Sequence, residues 1–247
     1  MLNFSVRLGL GFATVSAILT SFLGISPSVS ALTITGTSIA DITTQDIGQF
    51  FTVSFGGQIN GNNQDGLLSE AIFKVAGFET VNQVINGITK ELTQVKFEVK
   101  LSNISTGSIV TSRTSAIGFD VSSDLVTATI AGIDATTQPL FSKANLNAKL
   151  FEGNSPNLDV CFSDNNNNCR GGQNGGVKTG EKGTFSTSLY FNSSVKKITL
   201  DNLGVRYQSI DLASTPRFDG SSGTGYAVNV VPNGSHDWAD SKDSQYW

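Results

Sequence analysis

The chain has 247 residues, with 16 Lys and Arg against 20 Asp and Glu and a formal net charge of −4. Nucleic acid and anionic membrane surfaces both select clustered Lys and Arg, so this acidic balance argues against either as a partner. Only 15% of residues are charged, while 26 are Gly and 16 are Phe; frequent turns, a neutral polar surface and an aromatic core suit an exported β protein.

From the N-terminus, residues 1–31 read as a secretory signal peptide. Met1 to Arg7 carries one positive charge, the run from Leu8 to Ile25 carries none, and Pro27 precedes Val29-Ser30-Ala31. A basic start, an apolar middle and small residues before the cut are the three parts of such a leader, so cleavage is expected after Ala31. An uncleaved anchor is the competing reading. A span needs about 20 strongly apolar residues, and Gly9, Gly11, Thr14, Ser16, Thr20, Ser21 and Gly24 dilute this run. No second long apolar run follows, so no membrane span is expected after the leader. Its removal takes away Arg7 and no acid, leaving the chain one unit more negative.

Beyond the leader, period-two patterns dominate. Phe51, Val53 and Phe55 alternate with Thr52 and Ser54; Val95, Phe97, Val99 and Leu101 with Lys96, Glu98 and Lys100. Val126, Ala128 and Ile130 alternate with threonines, and Phe185, Thr187, Leu189 and Phe191 with Ser186, Ser188 and Tyr190. Such alternation buries one strand face and leaves the other wet. Further strands are expected within 32–36, 68–78, 115–121, 157–162, 195–200, 203–211 and 224–231. Gly- and Asn-rich stretches separate them, including Asn60-Gly61 and Gly220 to Gly225. The pattern predicts an all-β fold over residues 32–232, a single antiparallel β-sandwich domain, jelly-roll-like, with long polar loops.

One segment supports two readings. Val81, Val84, Ile85, Ile88 and Leu92 fit a helical stripe, yet Asn86-Gly87 suits a type I′ hairpin turn. Gly87 inside a helix costs about 1 kcal/mol relative to Ala, which favours the hairpin.

Cys161 and Cys169 are the only cysteines. Two close cysteines in an exported chain predict a disulfide. A redox or zinc pair lacks both a C-x-x-C spacing and a nearby His. Between them, Asp164 and four Asn residues gather oxygen ligands of the kind calcium selects. The EF-hand pattern counted from Asp164 fails, because Cys169 and Gly175 occupy the positions that need Gly and Glu. Asp164 stands as a calcium candidate on composition alone, and no metal site or cofactor is predicted. The glycines from Gly171 to Gly180 lack the strand–loop–Lys–helix context of a phosphate cradle.

No catalytic residues are assigned. His236, the only histidine, lies in a hydrophilic tail, and neither G-x-S-x-G nor H-E-x-x-H occurs. A hydrolase built on a carboxylate pair needs no histidine, but nothing in the sequence marks such a pair. Sugar binding by aromatic stacking points to Tyr190 and Tyr207 as candidate platforms, against a plainer role as strand aromatics. In Val205-Arg206-Tyr207-Gln208-Ser209-Ile210, alternation places Val205, Tyr207 and Ser209 on one face and Arg206, Gln208 and Ile210 on the other. Arg206 is expected to pair with an acid on a neighbouring strand, Asp120 or Asp201. Residues 233–247, rich in small polar and charged residues without a periodic apolar face, are expected to be a disordered tail.

Three stretches together resemble the cistern family of PEP-CTERM proteins. They are Asp46 to Gly57, Ser112 to Asp120, and Leu158-Asp159-Val160-Cys161-Phe162 through Cys169. The last continues into Gly171-Gly172, Gly175-Gly176-Val177, Leu200-Asp201-Asn202 and Val205-Arg206-Tyr207-Gln208-Ser209-Ile210. The resemblance covers roughly Asp46 to Val231. It implies export by a bacterium, handling by an exosortase, and residence at the cell surface or in an extracellular polysaccharide matrix. It implies no enzyme activity and no catalytic residues. Family members end in a Pro-Glu-Pro signal, an apolar helix and a basic cluster. Here Asn233 follows Pro232 and the remainder is polar, which implies either a released protein or a last segment in a shifted reading frame. The expected function is structural or adhesive, with a carbohydrate-binding module and a glycan hydrolase as the alternatives.

Overall fold

The computed structural model describes residues 32–151, 153, 155–164, 169–170, 174–213 and 220–232. The signal peptide, the tail 233–247 with His236, and the asparagines 165–168 lie outside the described residues, as do the expectations placed on them.

The architecture is all-β. In chain order the strands are β1 (Thr33–Thr35), β2 (Ser38–Ile42), β3 (Phe50–Ile59), β4 (Asn62–Ile85), β5 (Ile88–Asn103), β6 (Ile109–Val121) and β7 (Leu125–Ala131). They continue as β8 (Lys143–Ala148), β9 (Leu158–Ser163), β10 (Val177–Lys178), β11 (Lys182–Asn192), β12 (Ile198–Leu212) and β13 (Ser221–Pro232). A 3-10 turn, Thr44–Asp46, precedes β3. All strands join one antiparallel sheet whose main path runs β7-β11-β5-β4-β3-β13-β12-β6-β9-β8, with β10 on β6 and the β1–β2 hairpin on β12. The sheet curls until its terminal strands β7 and β8 approach one another without a ladder. The enclosure is therefore nearly closed, on the boundary between a sandwich and a barrel.

Alternating residues of these strands fill the interior, and phenylalanine runs through it as a connected chain. Phe51 stacks on Phe73 with ring centroids 5.1 Å apart. Phe73 meets Phe97 at 6.3 Å and Phe119 at 6.1 Å, Phe119 meets Phe162 at 5.9 Å, and Phe162 meets Phe185 at 5.3 Å. Phe141, from the loop before β8, closes on Phe185 at 5.4 Å. Each such pair contributes about 0.5–1.5 kcal/mol beyond simple burial. Because these rings come from β3, β4, β5, β6, β9 and β11, the chain ties together strands far apart along the sheet.

The segment with two readings is a hairpin. Ile85 pairs with Ile88, and Asn86 and Gly87 both adopt positive φ, 51° and 79°, as a type I′ turn requires. Asn60-Gly61 makes the same turn between β3 and β4, with φ of 50° and 78°. The expected strands at 195–200 and 203–211 merge into β12, which is broken by register shifts near Asn202 and Ser209. Ser209 has φ +52°. That irregularity slips the alternation by one residue, so Ile210 joins Val205 and Tyr207 in the core instead of sharing a face with Arg206.

A second, smaller apolar cluster lies apart from the main core and is built from Ala116, Ala148, Leu150, Phe151, Leu158, Cys161 and Cys169. It packs the segments after β8 and β9 against the outer face of the sheet. The Cys161–Cys169 disulfide is formed, with Cα atoms 6.1 Å apart, and both residues are buried in this cluster.

Candidate functional site

A groove of about 610 Å³ lies where β6, β10 and the end of β12 meet the loop before β10. Thr111, Arg113, Lys178, Thr179, Glu181 and Ser209 supply most of its polar lining. Beneath it, Ser112 on β6 binds a hydroxyl and amide network. The Asn103 side-chain amide donates to Ser112 Oγ at 3.0 Å, Ser112 Oγ donates to Ser105 Oγ at 3.0 Å, and Thr179 Oγ1 accepts the Ser112 N–H at 2.9 Å. These partners hold the floor rigid. At the rim the Thr111 hydroxyl donates to the Asp211 carboxylate at 2.6 Å, and the Gly220 N–H donates to the same carboxylate at 2.7 Å. These bonds hold the Asp211 carboxyl below its ordinary range.

One wall of the groove is a loop clamped by cations. Arg113 Nη1 donates to the carbonyls of Asn174 at 2.8 Å and Gly175 at 2.6 Å. Burial lowers the Arg113 pKa, while the nearby Asp164 carboxylate works in the opposite direction. Gly176, at φ +75°, presses so close to β6 that a Cβ would lie 2.2 Å from the Thr114 carbonyl oxygen. Arg206 Nε and Gln208 Nε2 both donate to the Arg170 carbonyl, at 3.1 and 2.7 Å. Together with the disulfide, these donors staple the loop to the outer face.

The structure moves several residues from their expected roles. Arg206 makes no ion pair with Asp120 or Asp201; it is 6% exposed, and its partners include the Arg170 carbonyl and Ser222 Oγ, the latter at 2.8 Å. Asp120 instead accepts from the Asp159 N–H at 2.9 Å and from Asn202 Nδ2 at 2.7 Å. Asp201 accepts from the Ser38 hydroxyl. Arg170 brings its carbonyl against this face of β12, where Arg206 and Gln208 both donate to it.

Neither tyrosine is a stacking platform. Tyr207 is 0% exposed, on the inner face of β12. Its phenol oxygen has no hydrogen-bond partner of good geometry among the described residues. Burial pushes its pKa far above the ordinary value, with the nearby Ser69 hydroxyl pulling the other way. Tyr190 is buried at the β11–β5 pairing, where its hydroxyl accepts from Gln94 Nε2 at 3.0 Å. The Asp164 carboxylate accepts the Ser142 N–H at 3.0 Å and lies near Arg113. Among the described residues, no group of three or more His, Cys, Asp or Glu side chains could hold a metal ion.

Sequence reasoning missed Tyr226. It is 37% exposed and stacks on Phe151 with centroids 4.5 Å apart and planes 17° from parallel. Only the strand register reveals it, since Tyr226 stands between Gly204 and Gly56 on its neighbours.

Fold and groove together define an all-β domain with an open, largely polar groove on one curled antiparallel sheet. Comparison with family models, with curated proteins and with solved structures found no significant match. Among the described residues no helix is long and apolar enough to cross a membrane.

Proposed function

We propose that this chain is an exported, non-enzymatic protein of the cell surface or extracellular matrix, structural or adhesive in role, which engages matrix polysaccharide through the β6–β10–β12 groove. The observation that carries the reading is the groove lining: hydroxyls, backbone amides, Lys178 and Glu181 held on a fixed sheet. Polyhydroxylated chains are recognised by such mixed donors and acceptors, and a preformed site lowers the ordering cost of binding. Glu181 lines the groove and accepts the Lys178 N–H at 3.1 Å, and the Asp211 carboxylate stands at its rim. The predicted leader, the disulfide and the resemblance to the cistern family support residence outside the cell.

The test is a glycan array probed with the purified chain, followed by titration of the best ligand against Lys178→Ala and Thr111→Ala. Binding that weakens about tenfold in either variant, the equivalent of 1.4 kcal/mol, supports the groove. Absence of binding to any glycan, or release of shortened products during incubation, defeats the proposal.

A further inference from the structure

We propose that Ser209 is the residue with which the groove tells one hexose chain from another: a left-handed bend in β12 holds its hydroxyl at the groove wall, where it bonds a single sugar hydroxyl. This rests on the polysaccharide reading of the groove and names the side chain that makes it selective. The backbone supplies the first observation. Ser209 has φ +52°, a conformation in which an L side chain crowds the following carbonyl and glycine does not. Elsewhere among the described residues, positive φ is confined to glycines, to Asn60, Asn86, Asn147 and Asn202, and to Asp41. Asn and Asp tolerate this region because their side chains hydrogen-bond the local backbone. Ser209 is the exception in residue type, and its hydroxyl has no partner among the described residues.

The bend is pinned from both sides. On β13, Gly223 pairs with Tyr207 and Ser221 with Ile210; on β6, Arg113 pairs with Gln208 and Thr111 with Asp211. Ser209 falls between these pairs and faces a partner on neither strand. Tyr207 and Ile210 are fully buried, while the Thr111 hydroxyl, which meets the Asp211 carboxylate, also donates to the Ser209 carbonyl at 3.2 Å. A strained conformation persists only where its surroundings over-determine it, and such residues cluster at functional sites. Bulges next to binding sites re-aim a side chain in the same way. A bend needed for shape alone is better served by Gly or Asn, the residues this chain uses elsewhere. Here a hydroxyl is kept at a cost, exposed and in the lining of the groove. Val110, 58% exposed, lines the same groove and offers apolar surface to the C–H face of a sugar ring. A serine hydroxyl both donates and accepts, so it pairs with a sugar hydroxyl in either sense. Once the ligand excludes water, a chain whose hydroxyl points elsewhere leaves Ser209 unpaired and is rejected.

Epimeric hexose chains test this directly, because they differ in the direction of one hydroxyl. The β-1,4-linked tetrasaccharides of glucose, galactose and mannose are titrated by calorimetry into the full purified chain, Ser209→Gly and Lys178→Ala. The parent is expected to prefer one epimer by about tenfold. Ser209→Gly should bind that epimer about tenfold less tightly, level with the other two, and should melt no lower than the parent, since glycine suits the bend. Lys178→Ala should weaken binding and keep the order of preference. The inference alone is overturned if Ser209→Gly keeps the parent's preference, or if it melts well below the parent, which would make the side chain a support of the fold. A parent that binds none of the three, or binds all three equally, also overturns it; with no binding and an unresponsive glycan array, the polysaccharide reading falls as well.

Discussion

At the scale of single residues, the most informative positions are polar groups placed in or against apolar surroundings. Tyr207 buries a phenol oxygen without a good partner, and leaving such a group unsatisfied costs about 1–3 kcal/mol. Tyr207→Phe keeps the ring and deletes the problem, so the variant should be as stable as the parent or more stable by about 1 kcal/mol in urea denaturation. A clear loss of stability would mean that the hydroxyl bonds Ser69 after all. Cys161→Ser should cost about 2–3 kcal/mol, because the disulfide closes a short loop, and the urea midpoint should shift accordingly while the sheet's circular dichroism survives. Asp211 sets a pH dependence. Its folded pKa is depressed by Thr111 and the Gly220 amide, so its contribution to stability is present above the unfolded value of about 3.9 and is lost as pH falls through the lower folded value. Asp211→Asn should flatten that part of the acid-denaturation profile, and NMR titration should place the Asp211 carboxyl below the ordinary range.

At the scale of elements, legibility followed solvent exposure. Strands with one wetter face, such as β3 and β5, show their period directly. Strand β8, Lys143-Ala-Asn-Leu-Asn-Ala, has almost no apolar signal and is held by its pairing with β9, so nothing in its sequence announced it. The β12 pattern was legible as far as Tyr207 and misleading after it, because the positive φ of Ser209 inverts the faces. The reading of Arg206 went astray for a related reason. Alternation tells which residues share a face, and it does not tell that the Arg170 carbonyl will lie against the outer one. The disulfide was legible from compartment and spacing, whereas the groove, assembled from β6, β10 and β12, depends on pairings no local pattern encodes. The Asn86-Gly87 turn was legible because its chemistry is local. Gly87→Ala places a side chain at φ +79° and should lower the melting temperature through a cost of about 1 kcal/mol. An unchanged melting temperature would show that the far end of this hairpin, where Val84 and Ile88 stay exposed, is uncoupled from global unfolding.

At the scale of the whole molecule, the position of β13 governs how the fold comes into being. It lies between β3 and β12, joining the β3-β4-β5-β11-β7 side to the β12-β6-β9-β8 side. Removing Ser221–Pro232 should leave two raw edges and an aggregating product, monitored by light scattering and loss of the near-ultraviolet circular dichroism of the phenylalanine core. A soluble, folded truncation would contradict this. The arrangement also bears on synthesis. A chain emerging N-terminus first presents β3 long before β13, its neighbour in the sheet, arrives, so the nearly closed sheet cannot form while β13 is still inside the ribosome. The joining of the two sides of the sheet is thus among the last steps of synthesis, set by where β13 lies in the chain.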